Sequence, residues 1–109
     1  MAKKEHVIDE KYLRRMPLKS RLLYNFKMDG EAWGTDATTK LLNDAGMKPT
    51  NRWLWVLRYY MMEMAINGML DEIDHRVADP EFYDQEDVID AKYRITDLGI
   101  ERIDKVLRL

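Results

Sequence analysis

The sequence predicts a single, mainly α-helical domain that carries a small β-hairpin. Apolar residues recur at intervals of three and four in the first two thirds of the chain, which is the spacing of helix faces. Apolar and polar residues alternate with a period of two in 73–78 and 89–95, which indicates two strands. The predicted order is α-α-α-β-β-α over residues 17–109, after an N-terminal extension of residues 1–16. A chain of 109 residues suffices for one core and is too short for two.

The first helix of the domain is predicted to open at Pro17. A proline suits a first helical turn better than a helix interior, so a short helix from Asp9 to Met16 in the extension should end there. Asp29-Gly30 is a turn signal that ends the first helix. Its apolar stripe consists of Leu18, Leu22, Leu23 and Phe26.

A second helix is predicted after Trp33-Gly34. Thr35 or Asp36 can serve as its N-cap, because a short polar side chain accepts a bond from a free backbone N–H there. Gly46 is placed to end it, since glycine tolerates the left-handed conformation of many helix ends. Its apolar residues are Ala37, Leu41, Leu42 and Ala45.

The third helix is long, and it carries two opposed apolar rows. Thr50 or Asn51 is its predicted N-cap and Gly68 its stop. The row expected to face the core consists of Leu54, Leu57, Met61 and Met64, widened by Trp53 and Tyr60. The opposite row consists of Trp55, Tyr59, Met62 and Ile66. This outer row must meet something apolar, and three candidates are open. The N-terminal segment could fold over it through Tyr12, Leu13 and Met16, a second subunit could pack on it, or it could line a small-molecule pocket.

Two strands and a last helix complete the predicted domain. In the first strand Ile73, His75 and Val77 share the apolar side, so His75 is expected to be a partly buried structural histidine. In the second strand the apolar side holds Ile89, Ala91, Tyr93 and Ile95. The acidic segment DPEFYDQED between the strands is longer than a tight turn and is expected to project from the hairpin. Thr96 is the predicted cap of a helix whose apolar side holds Ile100, Ile103 and Leu107.

The composition argues against an enzyme and against a bound cofactor. The chain has no cysteine and two histidines, and Ser20 is its only serine. Few residues are therefore available to form a catalytic pair of nucleophile and base. The carboxylates Asp84, Glu86, Asp87 and Asp90 lack the spacing of a calcium-binding loop, and no metal site is predicted. No apolar run approaches the roughly 20 residues of a membrane span, so no membrane partner is expected. The charged N-terminus lacks the apolar core of a secretory signal, and a cytoplasmic location is expected.

Charge is distributed unevenly along the chain, although the net charge is only −2. Residues 1–28 hold eight bases and three acids, whereas residues 71–90 hold nine acids and one base, Arg76. A polyanion would therefore approach the N-terminal part more readily than the hairpin. The other interpretation of both regions is that they are solvated surfaces without a partner.

The order of elements and two local passages resemble a winged helix-turn-helix domain. The long helix ending in INGMLDEI resembles a recognition helix that runs through a glycine into the first wing strand. YRITDLGIERI resembles the passage from the second wing strand into the last helix, with Thr96 as cap and Gly99 three residues on. Similar passages occur in MarR-like and PadR-like regulators and in small archaeal or viral winged-helix proteins. The resemblance covers 17–109.

The resemblance implies a DNA-binding protein of the transcription-regulator type, and most simply a homodimer. The N-terminal half of the recognition helix would enter the major groove. The residues that the resemblance places toward DNA are Lys48, Thr50, Asn51, Arg52, Trp55, Arg58 and Tyr59. The residue chemistry leaves a second hypothesis open, because large apolar side chains read bases poorly and an acidic wing repels phosphate. On that hypothesis the domain is a protein–protein interaction module whose interface is Trp55, Tyr59, Met62 and Ile66, with little or no DNA binding.

Overall fold

Helices pack against a three-stranded antiparallel sheet in the computed structural model, which describes residues 10–107 apart from the side chains of residues 10, 13 and 14. The elements in chain order are α1 (Glu10–Arg15), α2 (Leu18–Asp29), β1 (Glu31–Trp33), α3 (Gly34–Ala45), α4 (Asn51–Ile66), β2 (Leu70–Val77), α5 (Pro80–Tyr83), β3 (Ile89–Ile95) and α6 (Asp97–Leu107). The predicted helices and the hairpin are present. The fold is mixed α/β, because a further strand joins the hairpin.

Three predicted helix ends are confirmed by their hydrogen bonds or backbone angles. The Thr50 hydroxyl accepts from the backbone N–H of Trp53 at 3.3 Å, which caps α4. The Thr96 hydroxyl accepts from the N–H of Gly99 at 3.0 Å, which caps α6, and donates to the carbonyl of Gly68 at 2.7 Å. Gly46 follows α3 with a φ of +67°, a conformation that glycine adopts without steric cost.

The predicted N-cap of α3 at Thr35 or Asp36 is wrong. The helix begins at Gly34, and Thr35 lies inside its first turn. The hydroxyl of Thr35 donates to the carboxylate of Asp90 instead, so a side chain from a distant strand occupies the position that a local cap would take.

The sheet has the strand order β1-β3-β2. Strand β1 was not among the predicted elements; its three residues pair with β3, with Trp33 opposite Lys92. The β2–β3 pairing shifts register between Glu72 and Asp74, so that strand β2 carries an irregularity near its middle. Because β1 leads directly into α3, this pairing ties the start of α3 to the hairpin.

The core lies between the sheet and helices α2, α3, α4 and α6. The predicted inner row of α4 is confirmed, and its four members are almost fully buried. Ile103 is the fully buried residue of α6, with Ile100 half-buried beside it. Met16, the last residue of the predicted extension, is also buried in this core. Residues 1–9 of the predicted extension and residues 108–109 of the predicted domain lie outside the described residues.

The segment between the strands does not project, so that prediction is wrong. Pro80–Tyr83 forms the single turn α5, with the Asp79 carboxylate accepting from the N–H of Glu81 at 2.9 Å. Tyr83 is 3% exposed and Val88 is 5% exposed. These apolar residues pull the segment back onto the domain, because leaving them in water would forfeit their burial energy.

The prediction of a partly buried His75 is also wrong. The side chain of His75 is 70% exposed and lies 3.9 Å from the carboxylate of Glu72. The register shift between Glu72 and Asp74 breaks the strict alternation that the prediction assumed. In β3 the alternation fails at one end, where Asp90 is buried and Ile89 is exposed.

Candidate nucleic-acid and partner interface

Helix α4 presents one face to the core and leaves most of a second face accessible. Contacts with neighbouring elements hold the helix in place. Its inner row packs in the core, and Glu63 on its flank accepts a salt bridge from Lys19 of α2 at 2.6 Å. The accessible face therefore lies on a helix that is anchored by its other side.

The N-terminal end of α4 is polar and exposed. Four of the residues that the resemblance places toward DNA lie there, and all four are exposed: Lys48, Thr50, Asn51 and Arg52. The first backbone N–H groups of a helix carry a partial positive charge, which adds to the charges of Lys48 and Arg52. This end can donate hydrogen bonds to an anion or to base edges.

Arg58 lies elsewhere, on the side of α4 that faces the hairpin. Its guanidinium donates to the carbonyl of Ile89 at 3.1 Å and to the sulfur of Met62 at 3.3 Å. The same group lies 5.6 Å from the ring centroid of Trp55. The structure thus gives Arg58 a role in joining α4 to β3 and does not group it with the exposed cations.

The outer row of α4 is exposed over its C-terminal two thirds. The exposed fraction is 61% for Tyr59, 40% for Met62 and 83% for Ile66. Trp55 is half-buried, because the ring of Tyr83 lies 4.8 Å from its own ring. Of the four residues of the predicted partner interface, the chain itself therefore covers one in part and leaves three accessible.

Tyr12 and Met16, which were expected to cover this row, contact other parts of the domain. The hydroxyl of Tyr12 donates to the carbonyl of Val106 in α6 at 3.1 Å, and Met16 is buried in the core. The side chain of Leu13 and residues 1–9 lie outside the described residues. The prediction that Tyr12 and Met16 bury the outer row of α4 is therefore wrong, because Tyr59, Met62 and Ile66 are exposed.

A cavity of about 110 Å³ lies between α4 and the hairpin, with Arg58, Glu72, Tyr83 and Tyr93 among its lining residues. Burial raises the pKa of Tyr83 to about 12, and the nearby guanidinium of Arg58 opposes that shift. Burial also raises the pKa of Tyr93, and the charge of Glu72 adds to the shift. Both hydroxyls are therefore neutral at physiological pH.

The acidic side chains between β2 and β3 are exposed, whereas the acid that follows them in β3 is buried. Asp79, Glu81, Asp84, Glu86 and Asp87 are exposed, whereas Asp90 is 3% exposed. Asp90 accepts from the Thr35 N–H at 3.0 Å, from the Thr35 hydroxyl at 2.8 Å and from Nε of Arg76 at 3.0 Å. The sequence groups Asp90 with the other acids of the hairpin. The alternation in 89–95 gave no signal of its burial, because it places Asp90 on the polar side of the strand with Lys92 and Arg94.

Two cationic side chains at the base of the hairpin already have partners within the sheet. The guanidinium of Arg76 lies 4.0 Å from the ring centroid of Trp33, and Lys92 pairs with Glu31 at 3.2 Å. Arg94 is exposed at the end of β3. A phosphate approaching this face would have to compete with those contacts.

Over residues 10–107, no group of three or more histidine or acidic side chains is arranged to hold a metal ion. None of the helices in the same range has the length and apolar sequence that a membrane crossing requires.

The chain matches no protein-family model, no curated protein and no solved structure. The arrangement of side chains on α4 and the hairpin is therefore the basis for assigning a function.

Proposed function

We propose that the protein is a winged helix-turn-helix protein that binds duplex DNA through the N-terminal end of α4. The element order supports this proposal, with α3, a short turn and α4 followed by the β2–β3 hairpin. The link between β1 and β3 supports it further, because it holds the hairpin beside the helix pair. On this proposal α3 is the supporting helix and α4 the recognition helix.

The observation that carries the proposal is the exposed polar end of α4. Within the described residues neither Lys48 nor Arg52 has an ion-pair partner, so both charges are available to phosphate. Asn51 and Arg52 carry the donors that reach base edges in a major groove, and Thr50 can contact the backbone while it caps the helix. The hydroxyl of Tyr59, two turns beyond Arg52 on the same helix, is placed to reach a phosphate at the edge of the groove.

The acidic hairpin limits how DNA can lie on the protein. Its exposed carboxylates repel phosphate at short range, and within the described residues Arg76 and Lys92 are already paired. The duplex would therefore contact the N-terminal end of α4 and stay away from the tip of the hairpin. With few donors facing the bases, we expect modest sequence selectivity and an affinity that depends mainly on phosphate contacts.

Fluorescence anisotropy with a labelled duplex of mixed sequence tests this proposal. At low salt we expect binding, and the logarithm of the affinity should fall linearly with the logarithm of the salt concentration. Folded protein that leaves the anisotropy unchanged at low salt would refute DNA binding.

A second candidate function is favoured by the exposure of Tyr59, Met62 and Ile66. An apolar row of this kind on a helix is typical of a surface that docks on another protein. On this alternative the domain is an interaction module with little or no DNA binding. Met62→Glu separates the two functions: on this alternative it abolishes a protein complex, whereas on the DNA-binding proposal it leaves duplex binding intact.

A further inference from the structure

The cavity between α4 and the hairpin is lined by two tyrosines whose hydroxyls have no hydrogen-bond partner in the part of the chain that the structure describes. Tyr83 is 3% exposed and Tyr93 is 5% exposed. Buried hydroxyls usually have a partner, which is either a protein group or a small molecule. Neither oxygen is sealed inside the protein, because the enclosed side-chain atoms without a partner belong to Asn25 and Thr38. The two hydroxyls are therefore accessible to a molecule in the cavity.

The two hydroxyls converge on the same cation. The ring of Tyr83 lies 4.8 Å from the ring of Trp55, and the ring of Tyr93 lies edge to face with Phe26 at 6.3 Å. These contacts fix the direction of both side chains. Burial raises the pKa of both tyrosines, and the guanidinium of Arg58 opposes the shift in both, as a cation near the two oxygens does.

Arg58 brings a positive charge without a counter-ion to this cavity. Its guanidinium donates to the carbonyl of Ile89 and to the sulfur of Met62, which leaves further N–H groups for another acceptor. Among the described residues it forms no ion pair. A guanidinium and two neutral hydroxyls therefore meet around one space, and an anion in that space would accept hydrogen bonds from all three.

Two carboxylates also line the cavity, and neither supplies that acceptor. Asp90 already accepts hydrogen bonds from the N–H and hydroxyl of Thr35 and from Arg76, so its charge is compensated. The side chain of Glu72 is 50% exposed and lies 3.9 Å from His75. Solvent screens its charge, but it remains the one group of the lining that opposes an anion.

The remaining lining is apolar, and the cavity is small. Met61, Met62, Ile89 and Ala91 provide this apolar surface. Met62 is 40% exposed and Ile89 is 43% exposed, so the cavity reaches the surface of the protein and a ligand can enter. Its volume is about 110 Å³. An engineered cavity of about 150 Å³ holds benzene, so this one has room for about four or five non-hydrogen atoms.

We propose that this cavity binds a short aliphatic carboxylate of about two or three carbon atoms, whose oxygens accept from Arg58, Tyr83 and Tyr93. Its hydrocarbon end packs against the apolar lining, of which Met61 and Ala91 are part. The bound anion joins α4 to α5 and β3, because the three donors belong to those three elements. The site lies on the hairpin side of α4, and it does not depend on the proposed DNA binding.

A titration of ¹⁵N-labelled protein with propionate tests the site, with backbone amide chemical shifts as the readout. We expect saturable shifts at Arg58, Tyr83 and Tyr93. Propionamide has the same shape without the charge, and it should bind about tenfold more weakly, because hydrogen bonds to a charged group are the stronger ones. Sodium chloride at the same ionic strength should produce no saturable shift at these residues.

Three variants should change propionate binding in different directions. Tyr83→Phe removes one donor and keeps the ring, so we expect an affinity about tenfold lower. Glu72→Gln removes the exposed charge that opposes the anion, so we expect a higher affinity. Tyr24→Phe makes the same chemical change at a buried tyrosine of α2 outside the cavity lining, and it should keep the wild-type affinity. The dispersion of amide signals shows whether each variant is folded.

Several results would overturn the proposal. The absence of a saturable shift with propionate would mean that the cavity holds water only. Equal affinities for propionate and propionamide would exclude recognition of the charge, as would a lower affinity in Glu72→Gln. Wild-type affinity in Tyr83→Phe, or an equal loss in Tyr24→Phe, would show that the cavity hydroxyls do not bind the ligand. Saturable shifts confined to Lys48 and Arg52 would place the anion at the exposed end of α4 and outside the cavity.

Discussion

Asp90 and Thr35 are joined by two hydrogen bonds, although 55 positions separate them in sequence. The carboxylate of Asp90 accepts both the backbone N–H and the hydroxyl of Thr35 in the first turn of α3. One of the free N–H groups at the start of α3 is thereby satisfied from β3, and the negative charge lies at the positive end of the helix. A buried carboxylate therefore ties the start of α3 to β3, in addition to the β1–β3 pairing.

Replacement of Asp90 by alanine should destabilise the domain by about 2 kcal/mol, because it leaves the Thr35 N–H without its acceptor and Arg76 without its ion pair. Urea denaturation followed by circular dichroism measures the loss. Glu86→Ala is the matched control, since it removes an exposed acid of the same region and should stay within about 0.5 kcal/mol of the wild type. Equal stabilities for the two variants would contradict the role assigned to Asp90.

Gly99→Ala should destabilise the domain although alanine favours helices. A Cβ atom at Gly99 would lie 2.3 Å from the carbonyl oxygen of Met69 and 2.8 Å from Cγ1 of Ile95, so α6 must move away from the sheet. We expect a loss of about 1–3 kcal/mol, the usual effect of overpacking, measured as a lower urea midpoint. Glu101→Ala, at an exposed position of the same helix, should leave the midpoint nearly unchanged. A midpoint for Gly99→Ala at or above that of the wild type would show that the close approach is absent.

Alkaline pH should destabilise the wild type more than Tyr83→Phe. The pKa of Tyr83 is raised to about 12 by burial, whereas the unfolded chain releases that proton near pH 10. Between these values the unfolded state binds fewer protons than the folded state, so stability falls as pH rises through this window. Below pH 10 this contribution is constant. Urea midpoints at pH 8 and pH 11 measure the effect, and an equal fall in both proteins would contradict the burial of the hydroxyl.

The helices and the hairpin were predictable because their signals are local. Caps such as Thr50 and Thr96 and the spacing of the inner row of α4 depend on residues within one or two turns. By contrast, β1 has three residues and no alternation of its own, and it exists because Lys92 and its neighbours in β3 pair with it. A local sequence pattern carries no information about a pairing partner so far along the chain.

The residues of the candidate site were largely predictable from the sequence, whereas their contacts were not. The exposed end of α4 at Asn51 and Arg52 follows from helix periodicity alone. The bond from Arg58 to the carbonyl of Ile89 depends on how α4 crosses the hairpin, which the sequence does not specify. The acidic segment was expected to project because it is longer than a tight turn, yet Tyr83 folds back and packs against Trp55.

The salt dependence of duplex binding by paired charge variants tests the central claim most directly. Lys48→Ala/Arg52→Ala removes the two exposed cations at the start of α4, and Arg102→Ala/Lys105→Ala removes two exposed cations of α6. Anisotropy titrations at several salt concentrations give the slope of log affinity against log salt. If both α4 cations contact phosphate, the slope should become shallower by about 1.8, since each contact contributes about 0.9, and the α6 variant should keep the wild-type slope. The same affinity and slope in both double variants would contradict the assignment of DNA binding to α4.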